Sequence, residues 1–369
     1  MGVELHDLMG RLRVMLQRTS GVHEHVGKSR AGWRRRAGLA VAAAALVSAC
    51  GSGSGEATDP AAPATPVESD ADVAYEFTVV VSDPPIADLV TRVAGDRVEV
   101  VSVVPMGADG HTYEPVPEDA RTLARADVYI ENGMGLNEVV TGFALANYPA
   151  GTRHYMLSDR IPESEILTTD SAEEIAAHGH AHSFNAHFWP DARYAGMYVD
   201  GIAEILSTQD PDGAAGYNER AEALNAQLTE MDEAFQTALA TIPAENRKLV
   251  VYHDSWSYYG RRYAIPVTGA IQPTDFSEPS AAELRATIEQ VREADVPAFF
   301  GSEVFPSDVL AVIAEETGAE YVADLSDDVL PGEPGSPEHS YVGMMVANTR
   351  TIVEALGGDP SALDTIAPS

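Results

Sequence analysis

Three histidines and one aspartate carry the most specific chemistry in this chain: His111, His187, His253 and Asp324, separated by 76, 66 and 71 residues. Each lies at the end of an apolar run or in a loop. His111 follows a strand expected over 98–104, within Met106-Gly-Ala-Asp109-Gly-His111. His253 closes the run Lys248-Leu-Val-Val-Tyr252, and Asp324 follows Tyr321-Val-Ala323. His187 sits in the turn-like stretch Asn185-Ala-His187-Phe-Trp-Pro190. Open α/β sheets place ligand chemistry at the carboxyl ends of their strands. Imidazole nitrogens and a carboxylate oxygen are suitable ligands for zinc, and four of them fill a tetrahedral shell. The spacing is far too wide for a zinc finger, so such an ion would not staple a small motif. A closed shell leaves no position for an activated water, which favours holding and carrying an ion over hydrolysis.

Other readings of the same residues are weaker. A lone loop histidine is more often exposed or bound to backbone than a ligand, so the four gain weight only together. His253-Asp254-Ser255 is no catalytic triad, because contiguous residues rarely converge in space. G-x-S-x-G and H-E-x-x-H are both missing. A secreted metallohydrolase would need an open coordination position and a general base, for which Glu114, Asp254 and Glu303 are the candidates.

Strands alternating with helices must position these residues. Runs over 77–81, 98–104 and 128–131 read as strands, with helices over 84–93 and 118–126. A second set follows, with strands over 248–252, 298–300 and 321–323 and helices over 280–294, 306–317 and 342–356. The implied fold class is α/β, with two lobes, each a mainly parallel sheet flanked by helices. Between them, Leu224, Leu228, Met231, Phe235 and Leu239 recur at helical spacing, predicting one long linking helix over about 214–241. Such a helix is a stiff connection, so little motion between lobes is expected. The expected organisation is an N-terminal extension and signal peptide (1–49), a disordered tether (50–74) and a first metal-binding lobe (75–210, with a His-containing loop over 168–186). The linking helix (211–243), a second metal-binding lobe (244–358) and a tail (359–369) follow.

The 369 residues suffice for two cores, and a formal charge of −34 argues against nucleic acid as a partner. Two lysines, Lys28 and Lys248, stand outside any phosphate-loop context. The one cysteine, Cys50, excludes an intrachain disulfide. It follows Arg34-Arg35-Arg36 and a short apolar run ending Val47-Ser48-Ala49, a secretory signal too short to span a membrane. Val47-Ser48-Ala49-Cys50 resembles a bacterial lipobox, so Cys50 is expected to be lipidated and to tether the protein to the extracytoplasmic face of the membrane.

The motifs resemble those of the solute-binding lipoproteins of zinc and manganese ABC importers, the ZnuA/TroA-like cluster A-I group. The resemblance runs from about residue 77 to 356. It rests on Gly107-Ala-Asp109-Gly-His111-Thr-Tyr-Glu114-Pro, Glu131-Asn132-Gly133-Met-Gly135-Leu136, Ala186-His187-Phe-Trp189, Tyr252-His253-Asp254-Ser-Trp256, Glu278-Pro279-Ser280 and the stretch 341–348. Departures occur beside the ligands. Gly110 and Ala186 stand where the family has proline before its first two histidines. Trp189-Pro190-Asp191-Ala192 replaces tryptophan-leucine-aspartate-proline, and Leu136-Asn137-Glu138 replaces glycine-leucine-glutamate.

The resemblance implies a monomeric, lipid-anchored carrier that delivers its ion to an ABC permease and catalyses no reaction. It implies His111, His187, His253 and Asp324 as ligands. Manganese-type sites of the family commonly carry glutamate at the third ligand and zinc-type sites histidine. Three imidazoles suit borderline-soft zinc better than hard manganese, so Zn2+ is the expected solute, with manganese or iron as the alternative. His178, His180 and His182 fall where zinc-type members carry a histidine-rich loop, which makes them an accessory capture site on that reading. An adhesin is a further possibility that no feature of the sequence supports.

Overall fold

A computed structural model describes residues 75–169, 183–272, 281–302, 308–323 and 325–367. Cys50, His178, His180, His182, Ser280, Glu303 and Asp324 lie outside the described residues.

Two four-stranded sheets, parallel throughout, organise the fold. The first has the order β2-β1-β3-β4, built from β1 (Phe77–Val81), β2 (Val98–Ser102), β3 (Val128–Glu131) and β4 (Arg153–Met156). The second repeats the pattern as β6-β5-β7-β8, from β5 (Leu249–His253), β6 (Val267–Gln272), β7 (Ala298–Phe300) and β8 (Glu320–Val322). In each sheet the chain order reverses beside the central strand, the point at which parallel sheets open a crevice at their carboxyl ends.

The strands read as continuous apolar runs because both faces are covered. In β1, Val79 and Val81 enter the large core while Val80 faces a smaller one with Val104, Leu123, Tyr129 and Val140. In β5, Leu249 and Val251 enter the same large core, while Val250 and Tyr252 pack with Val291, Phe299, Leu310 and Ile313. One apolar core is therefore continuous between the inner faces of the two sheets.

Helices α1 (Pro84–Ala94) and α2 (Pro117–Leu123) follow β1 and β2. Pro at the first helical positions opens α1, and Gly95 at φ 61° ends it. The sequence reading had no element at α3 (Glu138–Asn147) or at the edge strands β4 and β6. Helix α4 (Ala192–Gln209) is capped by Asp191, which accepts from the Arg193 N–H. The linking helix is α5 (Ala214–Leu239), 26 residues and about 39 Å long. Its apolar stripe, including Leu224, Leu228, Met231 and Phe235, lies in the shared core. In the second half come α6 (Ser257–Tyr263), which the sequence reading also lacked, then α7 (Ala281–Ala294), α8 (Asp308–Thr317) and α9 (Tyr341–Ala355). Strand β2 stops at Ser102, two residues short of expectation, because Val103 and Val104 already turn toward the loop that carries His111. Among the described residues, no helix is long and apolar enough to cross a membrane.

Candidate metal centre

His111, His187 and His253 meet at one point. The Nε2 atom of His187 lies 3.0 Å from His111 Nε2 and 3.0 Å from His253 Nε2. Four atoms at bond lengths of roughly 2.0–2.1 Å around zinc stand about 3.3 Å apart, so these nitrogens are close to the spacing such an ion imposes. Asp328 sets a carboxylate beside His111, with Oδ2 3.7 Å from its Nε2. Asp109 is the other acidic residue whose oxygen comes within 4.8 Å of both His111 and Asp328.

Each histidine is held by a different element. His111 lies in the loop after β2. Its N–H donates to Asp109 Oδ1 at 2.9 Å, Thr112 Oγ1 donates to the same carboxylate, and a backbone hydrogen bond to Leu136 steadies the imidazole. His187 lies just before α4 and depends on Asn185. The Asn185 Oδ1 atom accepts from the His187 N–H at 3.0 Å and faces His187 Nδ1 at 3.1 Å. The Asn185 amide donates to the Asp254 carbonyl at 2.7 Å, which fixes which end of the amide is oxygen. Nδ1 of His187 must then carry the proton, leaving Nε2 with its lone pair toward the centre. His253 is the last residue of β5, aimed out of the carboxyl end of the second sheet.

Hydrogen bonds from neighbouring elements tie down the surroundings. Tyr198 donates to Asn132 Oδ1, and Asn132 Nδ2 donates to the Ala186 carbonyl, so α4 and β3 fix the backbone before His187. Trp189 Nε1 donates to the Asp327 carbonyl, and Tyr341 donates to the Trp189 carbonyl. Burial, reinforced by the neighbouring imidazoles, holds His187 well below the usual histidine range, and burial also lowers His111. Both rings are therefore neutral at physiological pH. A central cation would take one lone pair from each of the three converging ring nitrogens. A cavity of about 410 Å3 leads to the cluster, lined by His111, Met134, Leu136, Phe184, His187 and His253.

Behind the histidines lies an acidic layer. Asp83 is buried, accepts from Ser82, and is pushed up to about 6 by burial. Asp327 is likewise pushed up to about 6 by burial and accepts from the Ser255 and Ser302 hydroxyls. Ser255 and Asp254 are thus engaged elsewhere, Asp254 with Ser257, and no triad forms with His253. At Gly110 an added Cβ would stand 2.5 Å from Asn137 Nδ2 and 2.9 Å from Asp83 Oδ1. That close approach accounts for glycine where proline was expected.

Of the four residues singled out from the sequence, three come together, and Asp324 lies outside the described residues. Sequence reasoning passed over Asp328, four residues further on, and the orienting role of Asn185. The signal for Asp328 was present: two adjacent acids set between Leu325 and Val329-Leu330, an apolar setting unusual for solvated carboxylates.

The family model described as zinc-uptake complex component A, periplasmic, matches residues 79–355. The manganese-binding lipoprotein MntA of Halalkalibacterium halodurans is 28% identical over 278 residues, covering 75% of this chain and 88% of that protein. The manganese ABC transporter substrate-binding lipoprotein PsaA of Streptococcus pneumoniae is 25% identical over 284 residues, 76% and 89% of the two chains. Among solved structures, the periplasmic zinc-binding protein TroA of Treponema pallidum superimposes with a TM-score of 0.68 at 26% identity, over 76% of this chain and 99% of that one.

Proposed function

The chain belongs to the zinc-uptake complex component A family, and from that premise we propose that it captures zinc outside the cytoplasmic membrane and delivers it to an ABC permease. It is a metal-binding solute carrier of an ABC importer, not an enzyme. The observation that carries the zinc reading is the convergence of three imidazoles, His111, His187 and His253, on one point. A donor set dominated by nitrogen suits zinc, whereas manganese prefers oxygen.

The fourth ligand in this proposal is a carboxylate from the segment after β8. Asp328 is favoured because it already faces His111, while the Asp327 carboxylate is engaged by two serine hydroxyls. Asp324 is the alternative. Manganese on the same ligands is the rival reading, and the names of the relatives support it at least as well, since MntA and PsaA are both described as manganese proteins. Lipidation at Cys50 would hold the carrier at the extracytoplasmic face. The relatives' description as lipoproteins supports that placement.

The test is a metal titration of the metal-stripped protein with zinc and manganese in competition, beside His253→Ala, Asp324→Ala and Asp328→Ala. One zinc held against excess manganese, and weakened at least tenfold by His253→Ala and Asp328→Ala, is expected. Displacement of zinc by equimolar manganese would overturn the zinc reading. Loss on Asp324→Ala with none on Asp328→Ala would move the fourth ligand to Asp324.

A further inference from the structure

Next to the metal mouth is a second hollow of about 460 Å3, on the surface of the first lobe. It runs between α3 and the end of β4, floored by Gly142 and walled by Met134, Leu136, Leu145 and Met156. The two hollows share one wall, formed by residues 134–136 and Glu138. That wall is a tight turn in which Gly133, Met134 and Gly135 all have positive φ, 87°, 56° and 76°. Left-handed backbone at a non-glycine residue is costly and persists where surrounding structure imposes it. Here it sets Met134 in the wall common to the mouth and the groove.

The groove combines these apolar side chains with Glu131, Asn137, Glu138 and Thr141. Helix α3 buries only Val140 and Ala144, and leaves Leu145 54% exposed beside Met156 at 41%. Phe184, on the mouth itself, is 43% exposed. Among the described side chains, Val312 is the sole large apolar residue so exposed in the second lobe. Leu145, Met156 and Phe184 thus place three exposed apolar side chains side by side at the functional opening, the kind of patch that marks an interaction site. At the junction Glu138 is exposed, so the complementary surface is an apolar ridge with a cationic group at its mouth end.

We propose that this groove receives such a ridge on the extracytoplasmic face of the importer's permease, so that docking seats the partner over the ion's exit. The proposal rests on the carrier reading above. Any partner that takes the ion through the mouth must cover the shared wall, and the groove is the apolar surface continuous with it.

The experiment uses the full chain and the metal permease complex of the same organism in proteoliposomes, measuring zinc binding and ATP-driven zinc uptake separately. The double variant Leu145→Asp with Met156→Asp is compared with Val312→Asp as the control. Expected is zinc affinity within twofold of the unaltered chain for both, with uptake reduced at least tenfold only in the double variant. Uptake within twofold of the unaltered chain in the double variant would overturn the groove while leaving the carrier reading intact. Zinc binding without uptake by the unaltered chain would overturn the carrier reading and the groove with it. A photocrosslinker at Leu145 that joins only two copies of this chain would assign the groove to self-association and also refute the proposal.

Discussion

Replacing Asn185 by leucine isolates how the protein prepares His187 for an ion. Asn185 touches no metal-facing atom, yet its Oδ1 accepts from the His187 backbone and faces its Nδ1, and its amide donates to the Asp254 carbonyl. Leucine fills similar space and abolishes all three interactions. Loss of an orienting partner behind a metal-bound imidazole typically costs 10–100-fold in affinity, about 1.4–2.7 kcal/mol. Three neutral hydrogen bonds at about 1 kcal/mol each also place the metal-free protein roughly 3 kcal/mol lower in stability. A second variant separates the two effects. Asn185→Asp keeps the acceptor for Nδ1–H, and its charge raises imidazole basicity, but it cannot donate to Asp254. Zinc affinity, read by competition with a chromophoric chelator, should therefore fall 10–100-fold in Asn185→Leu and stay within threefold in Asn185→Asp. Thermal melts of the metal-free proteins should show both variants destabilised. Equal losses of affinity in the two variants would refute the orienting role and reduce Asn185 to a structural tie.

Two further outcomes follow from the layer behind the histidines. Gly110→Ala would press a methyl group against Asn137 and Asp83, an overpacking that costs about 1–3 kcal/mol. It should displace the His111 loop, and zinc titration should show weakened binding, whereas Gly142→Ala, where an added Cβ meets nothing within 4 Å, should leave binding unchanged. Asp83 carries a pH dependence. Its carboxyl is raised from 3.8 to about 6 by burial, so the folded state holds that proton more tightly than the unfolded chain. Its contribution to stability is complete below about pH 4 and lost as pH rises through 6, a swing of at most about 3 kcal/mol. The melting temperature of metal-free Asp83→Asn should gain on the unaltered protein between about pH 4 and 6 and level off above that, and a constant difference would contradict the assignment.

Much of the fold was legible because the strands are buried on both faces. Val79, Val80 and Val81, or Leu249, Val250 and Val251, read as unbroken apolar runs since each sheet has a core on either side. The long helix was legible for the same reason, from a stripe whose members lie in the shared core. Helix α3 was not, because it buries only Val140 and Ala144 and leaves Val139 and Leu145 exposed, so its apolar residues follow no single face. Strand β4, Arg153–Met156, is an edge strand with no buried residue, and its polar sequence gave no alternation to read. At the site, the histidines could be located as strand-end and loop residues, and the family resemblance grouped them. Nothing in spacings of 76 and 66 residues states that three rings meet within hydrogen-bond distance. The carboxylate shows the limit of the strand-end rule. It directs attention to Asp324, the first acid after β8, which lies outside the described residues, and passes over Asp328, whose carboxylate faces His111.

The central claim is that three imidazoles and one carboxylate close around a single ion. X-ray absorption at the zinc edge of the loaded protein tests it most directly. A four-coordinate first shell at roughly 2.0–2.1 Å is expected, with outer-shell scattering from three imidazoles that drops to two in His253→Ala. A five- or six-coordinate shell rich in oxygen, or imidazole scattering unaltered by His253→Ala, would contradict it.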